Sequence, residues 1–138
     1  MSNGVTFYFM RHGETYFNLY GRMQGWANAP LTDQGIKDIH RSGKGLASVK
    51  FGAVYSSDLM RTIETAQIIL KENQQADHLK IFPMKEFREV HFGSFEGLDS
   101  RQVWDDVNHS IRLKHGLPAG NDFQVEATLN AIKELDPY

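Results

Sequence analysis

Residues 5–10 read Val-Thr-Phe-Tyr-Phe-Met, β-branched, aromatic or otherwise apolar throughout. With no period-2 alternation to leave one face wet, this pattern predicts a strand buried on both faces. It stops abruptly at Arg11-His12-Gly13-Glu14. A short helical turn fits residues 15–19, and residues 21–30 read as a loop punctuated by Gly21, Gly25 and Pro30. Thr32 is a good N-cap for a helix to about residue 47, with Ile36, Ile39 and Leu46 on its inward face. Residues 52–56 are short and β-prone. Ser57 and Asp58 then offer caps for a helix over about 58–71, where Leu59, Ile63, Ala66, Ile69 and Leu70 recur at helical spacing. Residues 80–82 form a weak strand ended by Pro83, and 86–97 are irregular. A helix near 99–108 carries Val103, Trp104 and Val107 on one face. A loop through Gly116, Pro118 and Gly120 leads to a last helix from about Asp122, with Phe123, Val125, Leu129 and Ile132 on its apolar side.

Strand and helix in alternation argue for βαβ units: an α/β fold of three layers, with a mainly parallel central sheet and helices on both faces. The 138 residues fit one domain spanning 1–138. Hydrophobic content of 41% and charged content of 23% are ordinary for a soluble globular chain. A net charge of −2 gives no footprint for nucleic acid or an anionic membrane. The lack of cysteine excludes disulfides, thiolate catalysis and thiolate metal sites. No apolar run approaches the roughly 18–20 residues of a membrane span, and the amino terminus has no signal-peptide pattern, so a cytoplasmic location is expected.

Arg11 and His12 leave the first strand at its carboxyl end, where open α/β sheets bind ligands. Arg61 falls on the first turn of the helix after the second strand, so the two arginines can converge on one sheet edge. Paired guanidiniums suit a doubly charged phosphate, and a neutral His12 beside them suits a nucleophile. On these residues alone blander readings stay open. Arg11-His12-Gly13 is also what a polar strand exit with a turn glycine looks like, and Arg61 is placed to pair with Glu64 in solvent. Ser56, Ser57 and Asp58 need be no more than helix caps. His40, His78 and His109 lack motif context and read as solvated.

The constellation is more specific than its parts. Met-Arg-His-Gly-Glu-Thr at 10–15 resembles the signature of the histidine phosphatase superfamily, which contains the phosphoglycerate mutases. So do Asn18, Gly21-Arg22-Met-Gln-Gly25, Pro30-Leu31-Thr32 and Gly35, the segment 55–66 (Tyr-Ser-Ser-Asp-Leu-Met-Arg-Thr-Ile-Glu-Thr-Ala) and the segment 88–97 (Arg-Glu-Val-His-Phe-Gly-Ser-Phe-Glu-Gly). The resemblance implies a phosphoglycerate mutase-like fold and a metabolite phosphate as substrate, with no metal and no nucleotide cofactor. It implies His12 as phosphoryl-accepting nucleophile and Arg11 and Arg61 as phosphate-binding arginines. Asn18 would help hold the phosphate, with Gln24 and Gly25 on the adjoining substrate loop. Glu89 would be the general acid, and burial among Phe87, Phe92 and Phe95 is expected to raise its pKa. Phosphoryl transfer is mainly positioning and charge neutralisation, which such a set supplies. The 89–97 block favours a phosphatase over a mutase; a non-catalytic phosphate-binding module is the reading from another class.

The pattern breaks near the end. The family has a second histidine in a His-Gly pair after a later apolar strand. His115-Gly116 follows Ile-Arg-Leu-Lys and does not fit that place. The expectation is a chain that stops short of the second histidine, with activity lowered about 10²–10³-fold. Its helix face around Phe123, Leu129 and Ile132 would lack a partner, inviting homodimerisation or segment exchange.

Overall fold

In a computed structural model, which describes residues 4–115 and 125–136, the first helices begin where threonines cap them. Thr15 forms a capping box with Asn18 at the start of α1 (Tyr16–Leu19). Thr32 Oγ1 accepts from Gly35 N, 2.9 Å, at the start of α2 (Asp33–Gly45). Both caps satisfy amides that a helix start otherwise leaves open. The expected capping of the next helix by Ser57 or Asp58 does not occur. α3 (Met60–Glu72) starts from Leu59 without a side-chain cap, because Ser57 Oγ bonds Thr62 Oγ1 (2.6 Å) and Asp58 is engaged by Arg88.

β1 (Val54–Ser56) and β2 (Ile81–Pro83) pair in parallel on either side of α3, with Val54 beside Ile81 and Tyr55 beside Phe82. This is the βαβ unit that the alternation predicts, and the chain has an α/β fold with a parallel sheet. The buried first strand is a correction. Among the described residues the sheet has two strands, β1 and β2, and residues 5–10 pair with neither. Their side chains are exposed, from 46% at Met10 to 92% at Phe9. An all-apolar strand is buried only when ladder partners and covering layers flank it. Among the described residues no such ladder partner lies beside it, and the parallel sheet there is the pair β1 and β2.

Two cores form. Leu31, Ile39 and Ile69 cluster where α2 packs on α3, flanked by Ile36, Leu46 and Ile68. Gly43 allows the close approach: a Cβ there would stand 2.9 Å from Glu72 Cβ. His40 Nδ1 meets Glu72 Oε1 at 2.7 Å across the same contact, so it is a half-buried tie rather than a solvated residue. His78 and His109 are exposed. The second core joins Met23 to Val103, Val107 and Ile111 of α4 (Ser100–His115) and to Ala131 and Ile132 of α5 (Val125–Leu135). α4 outruns its expected end at 108 because Ile111 continues the buried stripe of Val103 and Val107. Ile132 is 5% exposed, covered by α4, while Leu129 stays 37% exposed, so the expectation of an uncovered face is corrected at Ile132 and not at Leu129. Gly116, Pro118, Gly120, Asp122 and Phe123 lie outside the described residues.

Candidate active site

The segment 11–14 is held by its backbone. Gly13 N donates to Thr65 Oγ1 of α3 (3.1 Å), and Thr32 N donates to Glu14 O (2.9 Å). A Cβ on Gly35 would stand 2.4 Å from Glu14 O, so glycine is required for the segment to run against α2. His12 Nδ1 lies 2.8 Å from Gly13 O. A carbonyl oxygen only accepts, so Nδ1 carries the proton and Nε2 of the neutral ring keeps its lone pair. Burial lowers the pKa of His12, the bond to Gly13 opposes it, the charges of Arg61 and Arg11 lower it further and Glu89 raises it. The net position is below the ordinary 6.5, so the ring is neutral at pH 7.

His12 lines a cavity of about 540 Å³ together with Arg11, Arg22, Asn18, Gln24 and Glu89. Asn18 Oδ1 accepts from Thr15 N (3.1 Å) and lies 3.0 Å from Thr15 Oγ1. Among the described residues its Nδ2 has no hydrogen-bond partner. Gln24 Oε1 lies 2.6 Å from the same Thr15 hydroxyl, and Gln24 Nε2 is buried with no partner. Four side chains with open donor capacity thus line one cavity: the guanidiniums of Arg11 and Arg22 and the amide ends of Asn18 and Gln24.

The loop 21–27 is stitched to 92–100. Met23 N donates to Leu98 O and Gly97 N to Met23 O, both 2.9 Å, and Ser100 N donates to Gly21 O at 2.7 Å. Beyond this stitch, Glu96 accepts from the amides of Gly25 (3.0 Å), Trp26 (2.8 Å), Ala27 (3.1 Å) and Phe92 (3.1 Å). Burial pushes the Glu96 carboxyl up, but these four donors outweigh it and its pKa is lowered. Arg61 takes the other polarity of the same loop: Nη2 donates to Gly25 O (2.7 Å) and Nη1 to Ala27 O (3.1 Å). A carboxylate collects the amides and a guanidinium the carbonyls. Gly25 has no room for a Cβ, which would stand 2.0 Å from Val90 O.

The expected site residues therefore divide. His12, Arg11, Asn18, Gln24 and Glu89 line one cavity. Arg61 and Gly25 are not in its lining: Arg61 is 2% exposed, gives both terminal nitrogens to the loop and keeps a buried, unpartnered Nε. Glu89 is exposed, not buried among phenylalanines. Phe92 and Phe95 turn onto the α4–α5 core, while Phe87 is 56% exposed and meets Tyr55 edge-on. Arg22, Trp104 and Glu96 were not singled out from sequence. Arg22 sat unremarked inside the Gly21–Gly25 run, Trp104 read as core on its helix face, and Glu96 carried no local signal. Among the described residues no group of three or more His, Asp or Glu is placed to hold a metal ion. No described helix is long and apolar enough to cross a membrane.

A profile of the histidine phosphatase superfamily (branch 1) matches residues 7–134. The chain belongs to the histidine phosphatase superfamily. It is 37% identical over 87 residues to the 2,3-bisphosphoglycerate-dependent phosphoglycerate mutase of Methanococcus vannielii, covering 60% of this chain and 37% of that one. It is 38% identical over 89 residues to the fructose-2,6-bisphosphatase TIGAR of Xenopus laevis, covering 64% and 32%. Among solved structures, a phosphoglycerate mutase from Bacillus anthracis superposes with a TM-score of 0.78 at 35% identity, covering 91% of this chain and 55% of that one. The fold is thus phosphoglycerate mutase-like, and the chain spans about a third to a half of the length of these members of the superfamily.

Proposed function

We propose that this chain carries the phosphoryl-transfer half-site of a phosphomonoester hydrolase acting through phosphohistidine on His12. The observation that carries the reading is the state of His12: Nδ1 tied to Gly13 O, a pKa held low, and a place in the same cavity as Arg11 and Arg22. A neutral imidazole with its Nε2 lone pair is the form that attacks phosphorus. Arg11 neutralises the phosphate oxygens, and the open donors of Asn18 and Gln24 fix their orientation. Arg61 adds charge behind the cavity and holds the loop at Gly25 and Ala27. Glu89, at the cavity, protonates the leaving oxygen and then activates water.

Hydrolysis of 4-nitrophenyl phosphate tests this reading. Turnover that disappears in His12→Ala supports it; equal background rates in the two proteins contradict it. The likeness to the Methanococcus vannielii and Bacillus anthracis mutases favours a second reading, phosphotransfer between positions of one metabolite. The same assay run with 3-phosphoglycerate as acceptor separates them: a mutase moves the phosphoryl group to the acceptor, a phosphatase releases it to water. The reading also includes a homodimer or segment exchange that covers residues 5–10.

A further inference from the structure

We propose that Trp26, Arg88 and Asp58 form a brace that positions Glu89 at the cavity. The inference rests on the reading of Glu89 as the acid and extends it to residues that do not line the cavity.

Glu89 needs such help. It is exposed, it lies in neither helix nor strand, and the bond its carboxylate makes is to the adjacent Val90 N (2.9 Å). Its backbone and neighbours are fastened instead. Trp26 Nε1 donates to Glu89 O at 2.9 Å. Arg88 grips Asp58 in a two-pronged pair, Nε to Oδ1 and Nη2 to Oδ2, each 2.5 Å. The same guanidinium lies 4.4 Å from the centre of the Trp26 ring, and the His91 ring, tilted at 52°, lies 4.8 Å from the indole between centroids. Residues 88, 89 and 91 therefore all close on one side chain. Trp26 is fixed in turn by its own amide on Glu96 Oε1 (2.8 Å). Asp58 stands just before α3, two residues short of Met60, so the brace also registers Glu89 against the helix that bears Arg61.

The pair is half-exposed, at 25% for Arg88 and 33% for Asp58, and such pairs add little to stability. Its two-pronged geometry is specific all the same. A positioning role follows: small effects on unfolding, large effects on proton delivery, since displacing a catalytic group by about 1 Å can cost about 10²-fold.

Two variants approach Glu89 from opposite sides. Trp26→Phe keeps the ring and removes the N–H donor; Asp58→Asn loosens the grip on Arg88. Hydrolysis of an alkyl phosphate, whose leaving alkoxide needs a proton, is expected to fall about tenfold or more in each. Hydrolysis of 4-nitrophenyl phosphate, whose leaving group departs unprotonated, is expected to change less than about twofold. Glu89→Gln should show the same split, and Asp58→Glu should restore part of the alkyl rate. Where Glu89→Gln shows the split, equal losses on both substrates, or no loss on either, in Trp26→Phe and Asp58→Asn overturn the brace.

A second readout needs no turnover. Glu89 raises the pKa of His12 while Arg11 and Arg61 lower it, so NMR titration of His12 reports where Glu89 sits. The pKa of His12 should drop in Trp26→Phe and Asp58→Asn, as in Glu89→Gln, and neither change should add to Glu89→Gln. An unmoved His12 titration in both variants overturns the proposal even in a preparation without activity. A moved titration combined with no leaving-group split in Glu89→Gln keeps the brace and rejects Glu89 as the acid.

Discussion

The contact from His12 Nδ1 to Gly13 O selects the free ring nitrogen, and burial beside two guanidiniums keeps that nitrogen unprotonated. Because the folded pKa is lowered, the unfolded chain takes up this proton first as the pH falls from 6.5. His12 therefore works against stability below that value while staying competent for attack. The acidic limb of a His12-dependent rate is expected below pH 6.5; a limb above 6.5 contradicts the assignment. Glu96 has the opposite link to stability. Its lowered pKa stabilises the fold above the usual glutamate range, and that contribution is lost as the pH falls through the folded value. Glu96→Gln, which removes the charge and one acceptor from four amides, is expected to cost on the order of 2 kcal/mol in urea unfolding. A loss within about 0.5 kcal/mol, the range of an ordinary surface change, contradicts that role. His12 and Arg11 were legible as neighbours at one cavity from the Met-Arg-His-Gly-Glu-Thr run and not from a strand exit, since residues 5–10 form no strand. Glu96 was not, since its partners Gly25, Trp26 and Ala27 lie about 70 positions away in sequence and nothing local marks them.

At the scale of elements, what was local was legible. Thr32 caps α2 as its sequence context suggests, and Val103 and Val107 mark the buried stripe of α4. Where a longer-range contact competes, the local reading fails. Asp58 faces away from α3 because Arg88 holds it, and residues 5–10 stay single because pairing depends on a neighbour and not on β-propensity. Ile111 is 1% exposed between α4 and α5. Ile111→Ala is expected to cost about 2–5 kcal/mol by urea unfolding, and a cost under about 0.5 kcal/mol would show that the two helices do not share a core.

For the whole molecule, the α/β class was legible from alternation, whereas the extent of the sheet was not. The result is an apolar segment in water next to the site: Phe7 and Phe9 are 73% and 92% exposed. An exposed apolar segment of this kind is a template for pairing with another chain. Size-exclusion profiles are expected to shift to larger species with rising concentration, and Phe7→Lys with Phe9→Lys should shift them back. A monomer independent of concentration contradicts this expectation. The central claim is tested most directly by rapid acid-free quenching of the chain during reaction with an aryl phosphate, followed by mass spectrometry of its peptides. The account predicts one phosphoryl group on His12, labile to acid and absent from His12→Ala. Turnover with the phosphoryl group on another residue, or unchanged turnover in His12→Ala, would contradict it.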